Sequence, residues 1–320
     1  MQGTSLMRED RVRKFGLLLA AVRAFAPTPT AVVHPASAGA IVGAVEAAQA
    51  GIIAPILVGP RAKVEAAAAS AGLDISAYEL IDTPYSHAAA ERAVGLVREG
   101  RARMLMKGSL STDELMGAVV RRDTGLRTAR RISHCFVLDV PGQAKPLIIT
   151  DAAINVFPSL EDKVDIIQNA IELAHALNIA EPKVAILSAM ETVNPKVPST
   201  LEAAALCKMA DRGQITGGVL DGPLALDNAI NPEAARIKGI GGPVAGQADI
   251  LVVPDLEAGN MLAKSLSFLA GADSAGIVLG ARVPITLTSR ADSAESRMAS
   301  CAVAALVARR RETPSAAVVG

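Results

Sequence analysis

The sequence has 320 residues, of which 51% are apolar, and its 32 basic residues balance its 32 acidic residues. The balanced charge argues against a strongly basic surface for nucleic acid or for an anionic membrane. The sequence has no Trp, two Tyr and five Phe, which also disfavours single-stranded nucleic acid, because its bases stack on aromatic side chains. The length suits two ordinary domains or one large α/β unit.

The first predicted element is an amphipathic helix near the N-terminus. Its apolar core is brief and Arg23 follows closely, which is not typical of a secretion signal. No apolar run reaches the roughly 20 residues that span a bilayer, so we expect no membrane partner. Three cysteines lie far apart without metal-ligand spacing, namely Cys135, Cys207 and Cys301. We therefore expect no disulfide framework, no metal site and a cytoplasmic location.

Short apolar runs then alternate with helical stretches along nearly the whole chain. The runs are TAVVHP (30–35), APILVG (54–59), RMLMKG (103–108), KVAILSA (183–189), DILVVP (249–254) and AGIVLG (275–280). This pattern is typical of parallel strands covered by helices on both faces. We predict an α/β fold with two doubly wound parallel-sheet domains.

The domain boundary is predicted near Pro141-Gly142, where two strands lie close together in a hairpin or a crossover turn. If the last helix packs back on the first domain, that domain comprises residues 1–146 and 290–320. The second domain then comprises residues 147–289.

The sequence predicts the N-cap residues of two helices. Residues Val164, Ile167, Ile171 and Ala174 recur at helical spacing, and Ser159 with Asp162 forms a predicted capping box before them. In STLEAAALCKMADRG we predict that Ser199 caps the helix and that Gly213 ends it.

Polar residues follow many of the apolar runs, at the edge where ligands bind in open parallel sheets. Each such residue could instead cap a helix, because Ser, Thr, Asp and Asn are the favoured N-cap residues. Arg290 fits that explanation poorly, because an Arg after a buried strand needs a carboxylate or a ligand phosphate. The residues are Lys107, Ser109, Ser111, Asp151, Asn155, Glu191, Asn194, Asp221, Asp255, Glu257, Asn260, Ser289, Arg290 and Asp292.

Two glycine-containing segments resemble anion-binding loops. KGSLSTDEL (107–115) places a cation and hydroxyls before a helix, a pattern that can bind an anion. The same segment also fits a capping box with Ser111 or Thr112 and Glu114. KGIGGPVAG (238–246) lacks the spacing of a dinucleotide fingerprint and precedes a strand, so we predict a loop.

Between about Met104 and Ala305 the sequence contains, in order, the blocks MKGSLST, DTGLRTARRISH, ITDAAINVFPSLEDK, METVNPKVPSTLEAAALCKMADRGQITGGVLDGPLALDNAI and ADILVVPDLEAGNMLAKSLSFLAGADSAGIVLGARVPITLTSRADSAES. Together they resemble the phosphate acyltransferase family, the phosphate acetyl- and butyryltransferases. The resemblance implies the reaction acyl-CoA + phosphate = acyl phosphate + CoA. It also implies an interdomain cleft, an isocitrate/isopropylmalate dehydrogenase-like architecture, a homodimer and no permanently bound cofactor, with coenzyme A as a substrate.

The family's Ser-Arg pair at the reacting centre matches Ser289-Arg290. By resemblance, Arg290 would hold phosphate oxygens and stabilise the oxyanion, and Ser289 would contact the thioester or the CoA sulfur. The expected substrate-binding residues are Lys107, Ser109, Ser111 and Thr112 near phosphate or the CoA tail, Arg127 at a CoA phosphate or in a structural ion pair, and Asp151, Asn155, Asn194, Asp221 and Asn260 in the second domain.

The sequence departs from the acetyltransferase branch at the expected base. An Asp lies there six residues after the Arg, whereas this chain has Ser296. Asp292 could take the base role, or it could cap the last helix. Direct attack in a ternary complex is favoured over an acyl-enzyme, because no cysteine follows a predicted strand in the cleft. Two alternatives remain: an NAD(P)- and metal-dependent decarboxylating dehydrogenase, and a non-catalytic CoA-binding subunit.

Overall fold

The computed structural model describes residues 15–287 and 293–312, which form two compact units. The N-terminal unit contains residues 15–130 and 275–312, and the central unit contains residues 131–274. These limits differ from the expected boundaries at 146/147 and 289/290. An antiparallel pairing keeps residues 133–150 together, so a boundary at 146/147 would cut through a hairpin.

The strands are, in chain order, β1 (Thr28–Val33), β2 (Ile53–Gly59), β3 (Glu79–Asp82), β4 (Met104–Lys107), β5 (Ser133–Asp139), β6 (Leu147–Thr150), β7 (Lys183–Leu187), β8 (Val219–Leu224), β9 (Ile250–Val252), β10 (Asp273–Leu279) and β11 (Ile285–Thr286). Each of the six apolar runs that were predicted as strands contains one of these strands or most of it.

The helices begin with α1, which includes residues 15–23. They continue with α2 (Ala38–Gln49), α3 (Arg61–Ser70), α4 (Ser86–Arg98), α5 (Thr112–Val119), α6 (Leu160–Ala176), α7 (Pro198–Asp211), α8 (Leu226–Ile230), α9 (Pro232–Ile237), α10 (Leu256–Phe268) and α11 (Ala294–Glu312). Among the described residues, no helix is both long enough and apolar enough to cross a membrane.

In the N-terminal unit the strand order is β3-β2-β1-β4-β11-β10. All neighbouring pairs are parallel except β10 and β11, which are antiparallel. The strands β1 and β4 are almost wholly buried, as expected for strands covered on both faces. Helix α11 packs against α2, β1, β4 and β11, so the last helix returns to this unit.

In the central unit the strand order is β5-β6-β9-β7-β8. The strands β6, β9, β7 and β8 are parallel, whereas β5 and β6 form an antiparallel hairpin around Pro141-Gly142. Gly142 adopts a φ of 83°, which only glycine adopts without strain. The α/β class with mostly parallel sheets is confirmed, and each unit adds one antiparallel pair.

The helix starts show one correct and one wrong prediction. Ser159 and Asp162 form the predicted capping box of α6, with both reciprocal hydrogen bonds present. Ser199 is not a cap: α7 begins at Pro198 after Val197, and the Ser199 hydroxyl lies 2.8 Å from that of Ser188. Proline fits the first helical position, and the helix therefore starts two residues earlier than a Ser199 cap would place it.

Candidate functional site

Three parallel strands of the N-terminal unit end at one edge, which we call the carboxyl edge. Strand β1 is followed there by His34, β4 by Gly108, and β11 by Leu287. Val33 pairs with Lys107, and Met106 pairs with Thr286, so the three chain exits are neighbours.

Hydrogen bonds join the segments after β1 and β4. Gly108 N donates to Val33 O at 2.9 Å, and Ser109 N donates to His34 O at 3.0 Å. The Ser109 hydroxyl donates to His34 O at 2.8 Å and accepts from Ala36 N at 3.2 Å. The Ser109 hydroxyl therefore uses both its donor and its acceptor in contacts between these two segments.

Gly108 is required by close backbone approach. A Cβ on this residue would lie 2.4 Å from Val33 O and 2.6 Å from His34 O, well inside van der Waals contact. The glycine therefore lets two strand exits approach within hydrogen-bonding distance.

Glu114 connects the segment after β4 with the start of α4, which follows β3. It forms a capping box with Ser111 at the start of α5, and its carboxylate accepts from the Ser86 hydroxyl at 2.6 Å. His87 Nδ1 lies 3.1 Å from the same oxygen. The hydrogen bonds from Ser86 and then Ser111 lower the pKa of Glu114 below its usual value. The capping-box interpretation of this segment is confirmed, with Ser111 as the cap.

Lys107 and Thr112 are half-buried at the same edge. The Lys107 ammonium donates to Leu110 O at 3.1 Å and lies 3.4 Å from Gly108 O. These contacts hold the cation over the loop that follows β4.

Arg127 lies elsewhere in the unit. Its backbone pairs with Ala281, in the connection between β10 and β11, and Thr128 donates to Gly280 O at 2.6 Å. β10 runs antiparallel to β11, so the connection between them lies at the end of the sheet where β11 begins. This end is opposite the carboxyl edge. The Arg127 side chain is exposed and forms no ion pair with any residue in 15–287 or 293–312.

In the central unit, Asp151 and Asn155 form one buried network. The Asp151 carboxylate accepts from Ala153 N, Ile154 N and Asn155 N at 2.9–3.2 Å, and from Asn155 Nδ2 at 2.5 Å. These donors satisfy a carboxylate that is only 3% exposed.

Arg131 connects this network to helix α6. Its Nε donates to Asn155 Oδ1 at 2.6 Å, and its Nη1 lies 2.9 Å from Asp162. Asn260 joins the network from α10 by donating to Ala152 O at 3.2 Å. The structure therefore brings Asp151, Asn155 and Asn260 together.

Asn194 and Asp221 do not join that network. Asn194 follows β7, and its Oδ1 accepts from Lys196 N at 3.0 Å. Asp221 was expected after a strand, but it lies within β8 opposite Ala185, because that strand continues to Leu224. Its Oδ1 accepts from Gly222 N at 2.8 Å.

The three cysteines are free, and none is suited to nucleophilic attack. Cys135 and Cys301 are buried and Cys207 is half-buried. Burial raises the pKa of each thiol to about 12. Within the described part of the chain, no three His, Cys, Asp or Glu side chains are grouped as a metal site.

Comparison with known proteins assigns the family. The profile of the family "Phosphate acetyl/butaryl transferase" matches residues 83–305. A phosphate acetyltransferase from Rhizobium meliloti is 65% identical over 306 residues, which cover 96% of this chain and 97% of that protein. The chain belongs to the phosphate acetyl/butyryl transferase family.

Solved structures agree with this assignment. A branched-chain phosphotransacylase from Enterococcus faecalis aligns with a TM-score of 0.77 and 30% identity, over 87% of this chain and 98% of that one. A 4-hydroxythreonine-4-phosphate dehydrogenase from Klebsiella pneumoniae aligns with a TM-score of 0.54 and 14% identity, over 88% and 99%. The second likeness concerns the fold alone and agrees with the predicted dehydrogenase-like architecture.

Three residues expected in the catalytic centre of this transferase, Ser289, Arg290 and Asp292, lie outside the described residues. The structure does describe the start of the following helix. Ser293 Oγ accepts from Ser296 N at 3.1 Å, and Ser293 O accepts from Arg297 N at 3.1 Å. Ser293 therefore occupies the N-cap position of α11, one residue after Asp292.

Sequence reasoning missed two residues that the structure makes prominent. His34 follows the buried strand β1 as the other candidates follow theirs, and that position was the available signal. Arg131 lies between two predicted elements, in a run of basic residues that gave no indication of a buried partner. Its role becomes visible only when Asn155 and Asp162 are placed beside it.

Proposed function

We propose that this acyltransferase moves a short-chain acyl group, acetyl or butyryl, reversibly between coenzyme A and inorganic phosphate. The observation that carries the proposal is its membership of the phosphate acetyl/butyryl transferase family over nearly its whole length. Coenzyme A is a substrate in this proposal, and no permanently bound cofactor takes part. The free cysteines favour a reducing, cytoplasmic compartment.

The acyl group passes directly between the two substrates in a ternary complex. An acyl-enzyme would need a nucleophilic side chain, and a cysteine acts as one only as the thiolate. All three thiols have a pKa near 12, so they stay protonated at neutral pH. These values argue against a cysteine acyl-enzyme, and in the proposed step a phosphate oxygen attacks the thioester carbonyl while the CoA thiolate leaves.

In this mechanism Arg290 holds phosphate and stabilises the oxyanion, and Ser289 contacts the thioester or the CoA sulfur. Such preorganised donors act where charge develops in the transition state. Lys107 and Thr112 add a cation and a hydroxyl at the carboxyl edge, and Arg127 binds a phosphate of coenzyme A. In the central unit we keep Asp151, Asn155, Asn194, Asp221 and Asn260 as proposed substrate contacts.

We assign Ser109 and Ser111 a supporting role, because their hydroxyls already bond within the loop and at the cap. Asp292 is the proposed base toward the CoA thiol in the reverse direction. Two observations support this choice: Ser296 places no carboxylate at the family offset, and Ser293 already caps α11.

The active form is a homodimer assembled through α10. Its outer stripe contains Glu257, Met261, Lys264 and Phe268, all of them exposed, with Phe268 at 79%. Met261, Phe268 and Leu269 are exposed along one helix and its end, and clustered apolar side chains of this kind mark interaction surfaces. The loop between β6 and α6 lies beside the start of α10, because Val156 O accepts from Leu256 N, and this loop also exposes Phe157, at 78%.

Charge along the stripe favours a second copy of this chain as the partner. When two copies of α10 pack antiparallel about a two-fold axis near Met261, Glu257 of each copy faces Lys264 of the other. A two-fold interface repeats every such pair, so two salt bridges form around the apolar centre.

The proposed reaction is tested by thiol release from acetyl-, propionyl-, butyryl- and isobutyryl-CoA, with and without phosphate. We expect phosphate-dependent release from at least one thioester. Replacing the oxyanion donor by Arg290→Ala should lower kcat on the order of 10²–10³-fold. Arg92→Ala removes a surface arginine that pairs with Glu99 and should leave the rate unchanged. Release that does not depend on phosphate, or full activity of Arg290→Ala, would contradict the mechanism.

A further inference from the structure

His34 has an unusual backbone conformation. Its φ is +54°, in the left-handed region that few non-glycine residues occupy. The surrounding hydrogen bonds enforce this conformation, because His34 O accepts from Ala36 N at 2.8 Å, from Ser109 N at 3.0 Å and from the Ser109 hydroxyl at 2.8 Å. Left-handed residues held by their surroundings are concentrated at ligand sites.

The two ring nitrogens of His34 have different surroundings. Nδ1 is buried and has no hydrogen-bond partner among the described residues, and it faces the backbone near Gly59. A buried N–H without an acceptor is rarer in proteins than a buried acceptor without a donor. The tautomer with its hydrogen on Nε2 is therefore favoured, and Nε2–H remains as a donor for a ligand.

Burial and a nearby cation favour the neutral form of the His34 ring, and the same cation favours an anionic ligand. Burial, and then the Lys63 ammonium from α3, lower the pKa of His34 below its usual value, and Glu114 from α5 acts in the opposite direction. Glu114 is already bonded to Ser86 and Ser111. The positive charge of Lys63 therefore favours a negative ligand beside the His34 ring. Lys107 adds a second cation at the carboxyl edge.

We propose that His34 is a substrate-binding residue of the acyl-transfer site, where Nε2–H donates a hydrogen bond to a phosphate-group oxygen. This inference rests on the proposed function. The oxygen could belong to inorganic phosphate, which reacts, or to one of the phosphates of coenzyme A, which anchor the thioester. Both sources offer the same anionic acceptor to a neutral imidazole donor.

The first experiment compares His34→Asn, His34→Gln and the matched control His87→Gln in steady-state kinetics. Asn tolerates the left-handed backbone but cannot reach as far as Nε2, whereas the Gln amide places a donor near that position. We expect His34→Asn to raise one KM by about 10- to 100-fold, as for a lost hydrogen bond to a charged group. His34→Gln should recover part of the loss. His87→Gln should behave as wild type, because His87 is exposed and its ion pair in the described part of the chain is with Glu114.

The affected KM identifies the source of the oxygen. A rise confined to phosphate assigns the hydrogen bond to the reacting phosphate. A rise confined to acyl-CoA assigns it to coenzyme A. A parallel assay with an acyl-pantetheine, which carries no phosphate, should then show no difference between wild type and His34→Asn. Unchanged KM values for both substrates in a folded His34→Asn enzyme would overturn the proposal.

A second measurement uses the wild-type protein, so the proposal stays testable even if the variants do not fold. Diethyl pyrocarbonate modifies accessible neutral imidazoles, and mass spectrometry reports the rate at each histidine. Saturating phosphate or coenzyme A should slow modification of His34 and leave His87 unaffected. Equal rates at His34 with and without both compounds would overturn the proposal.

The two proposals fail in different ways. If the wild-type enzyme releases no CoA in the presence of phosphate, the proposed function fails. If the wild type is active but His34 is neither protected nor needed for substrate affinity, only the role of His34 fails.

Discussion

His134 of β5 is a titratable residue whose burial affects the stability of the folded protein. It is 2% exposed, and its ring lies 4.5 Å from that of Phe136. Burial lowers the pKa of His134 to about 4, although the charge of Asp151 acts in the opposite direction. The imidazole is therefore neutral in the folded enzyme.

This burial predicts a loss of stability on acidification. Between about pH 6.5 and pH 4 the unfolded chain binds a proton at this histidine and the folded chain does not, so stability falls as the pH falls. From pH 7 to pH 5 we expect His134 to account for about 2 kcal/mol of lost unfolding free energy. Urea unfolding at both pH values should show this decrease in wild type and a smaller one in His134→Gln.

The control for this prediction is His87→Gln, which removes an exposed histidine and should keep the full wild-type decrease. Carboxylates titrate in all three proteins, so their contribution cancels in the comparison. Equal pH dependence in His134→Gln and wild type would contradict the argument.

At this scale the sequence predicts residue types better than it predicts their contacts. It places hydroxyls at Ser109 and Ser111, because both follow an apolar strand. It cannot show that the Ser109 hydroxyl is used by His34 O and Ala36 N, since those partners lie more than 70 residues away along the chain. Asp151 and Asn155 could be predicted as neighbours, but their link to Arg131 depends on how β5 and α6 pack.

At the scale of elements, Gly108 determines how closely the segments after β1 and β4 approach each other. We predict that Gly108→Ala lowers the unfolding free energy by about 3 kcal/mol, because the added methyl group meets two backbone carbonyls. Thiol-release activity should fall with it, since Lys107 is the preceding residue. Chemical denaturation and the kinetic assay together measure both effects.

The matched control is Gly117→Ala in α5, where the added methyl group has no atom within 4 Å. Alanine is the better helix former, so this variant should gain about 0.5–1 kcal/mol. A Gly108→Ala protein as stable as wild type would show that the two strand exits are not held in close contact.

Element type was predictable, and element ends were predictable only where local chemistry decides them. The capping box of α6 follows from Ser159 and Asp162 alone, and the structure contains it. The start of α7 depends on competition between Pro198 and Ser199, which a spacing rule does not resolve. Alternation of apolar runs with helices predicts parallel strands, so it does not predict the antiparallel pairs β5–β6 and β10–β11, in which no helix separates the two strands.

For the whole molecule, the central prediction is dimerisation through α10. Either Glu257→Lys or Lys264→Glu alone should weaken the dimer at least about 10-fold, because each places like charges opposite one another across the two-fold axis. The double variant restores opposite charges and should dimerise as wild type does. Analytical ultracentrifugation over a concentration series measures the dissociation constants.

Glu181→Lys is the control, since it reverses an exposed charge elsewhere in the central unit. Its dimer should match wild type. A double variant that is weaker than both single variants would exclude the antiparallel pairing of α10.

The order of strands along the chain has a consequence for biosynthesis. Strand β4 pairs with β11, and Leu105 lies opposite Ile285, so the two partners are separated by most of the polypeptide. A ribosome must translate the continuous segment 131–274 before β11 and α11 exist. The central unit can therefore complete its own sheet while the N-terminal unit still lacks an inner strand and a covering helix, as expected for domains that fold as separate units. Until then the unpaired side of β4 has to be protected from pairing with other chains.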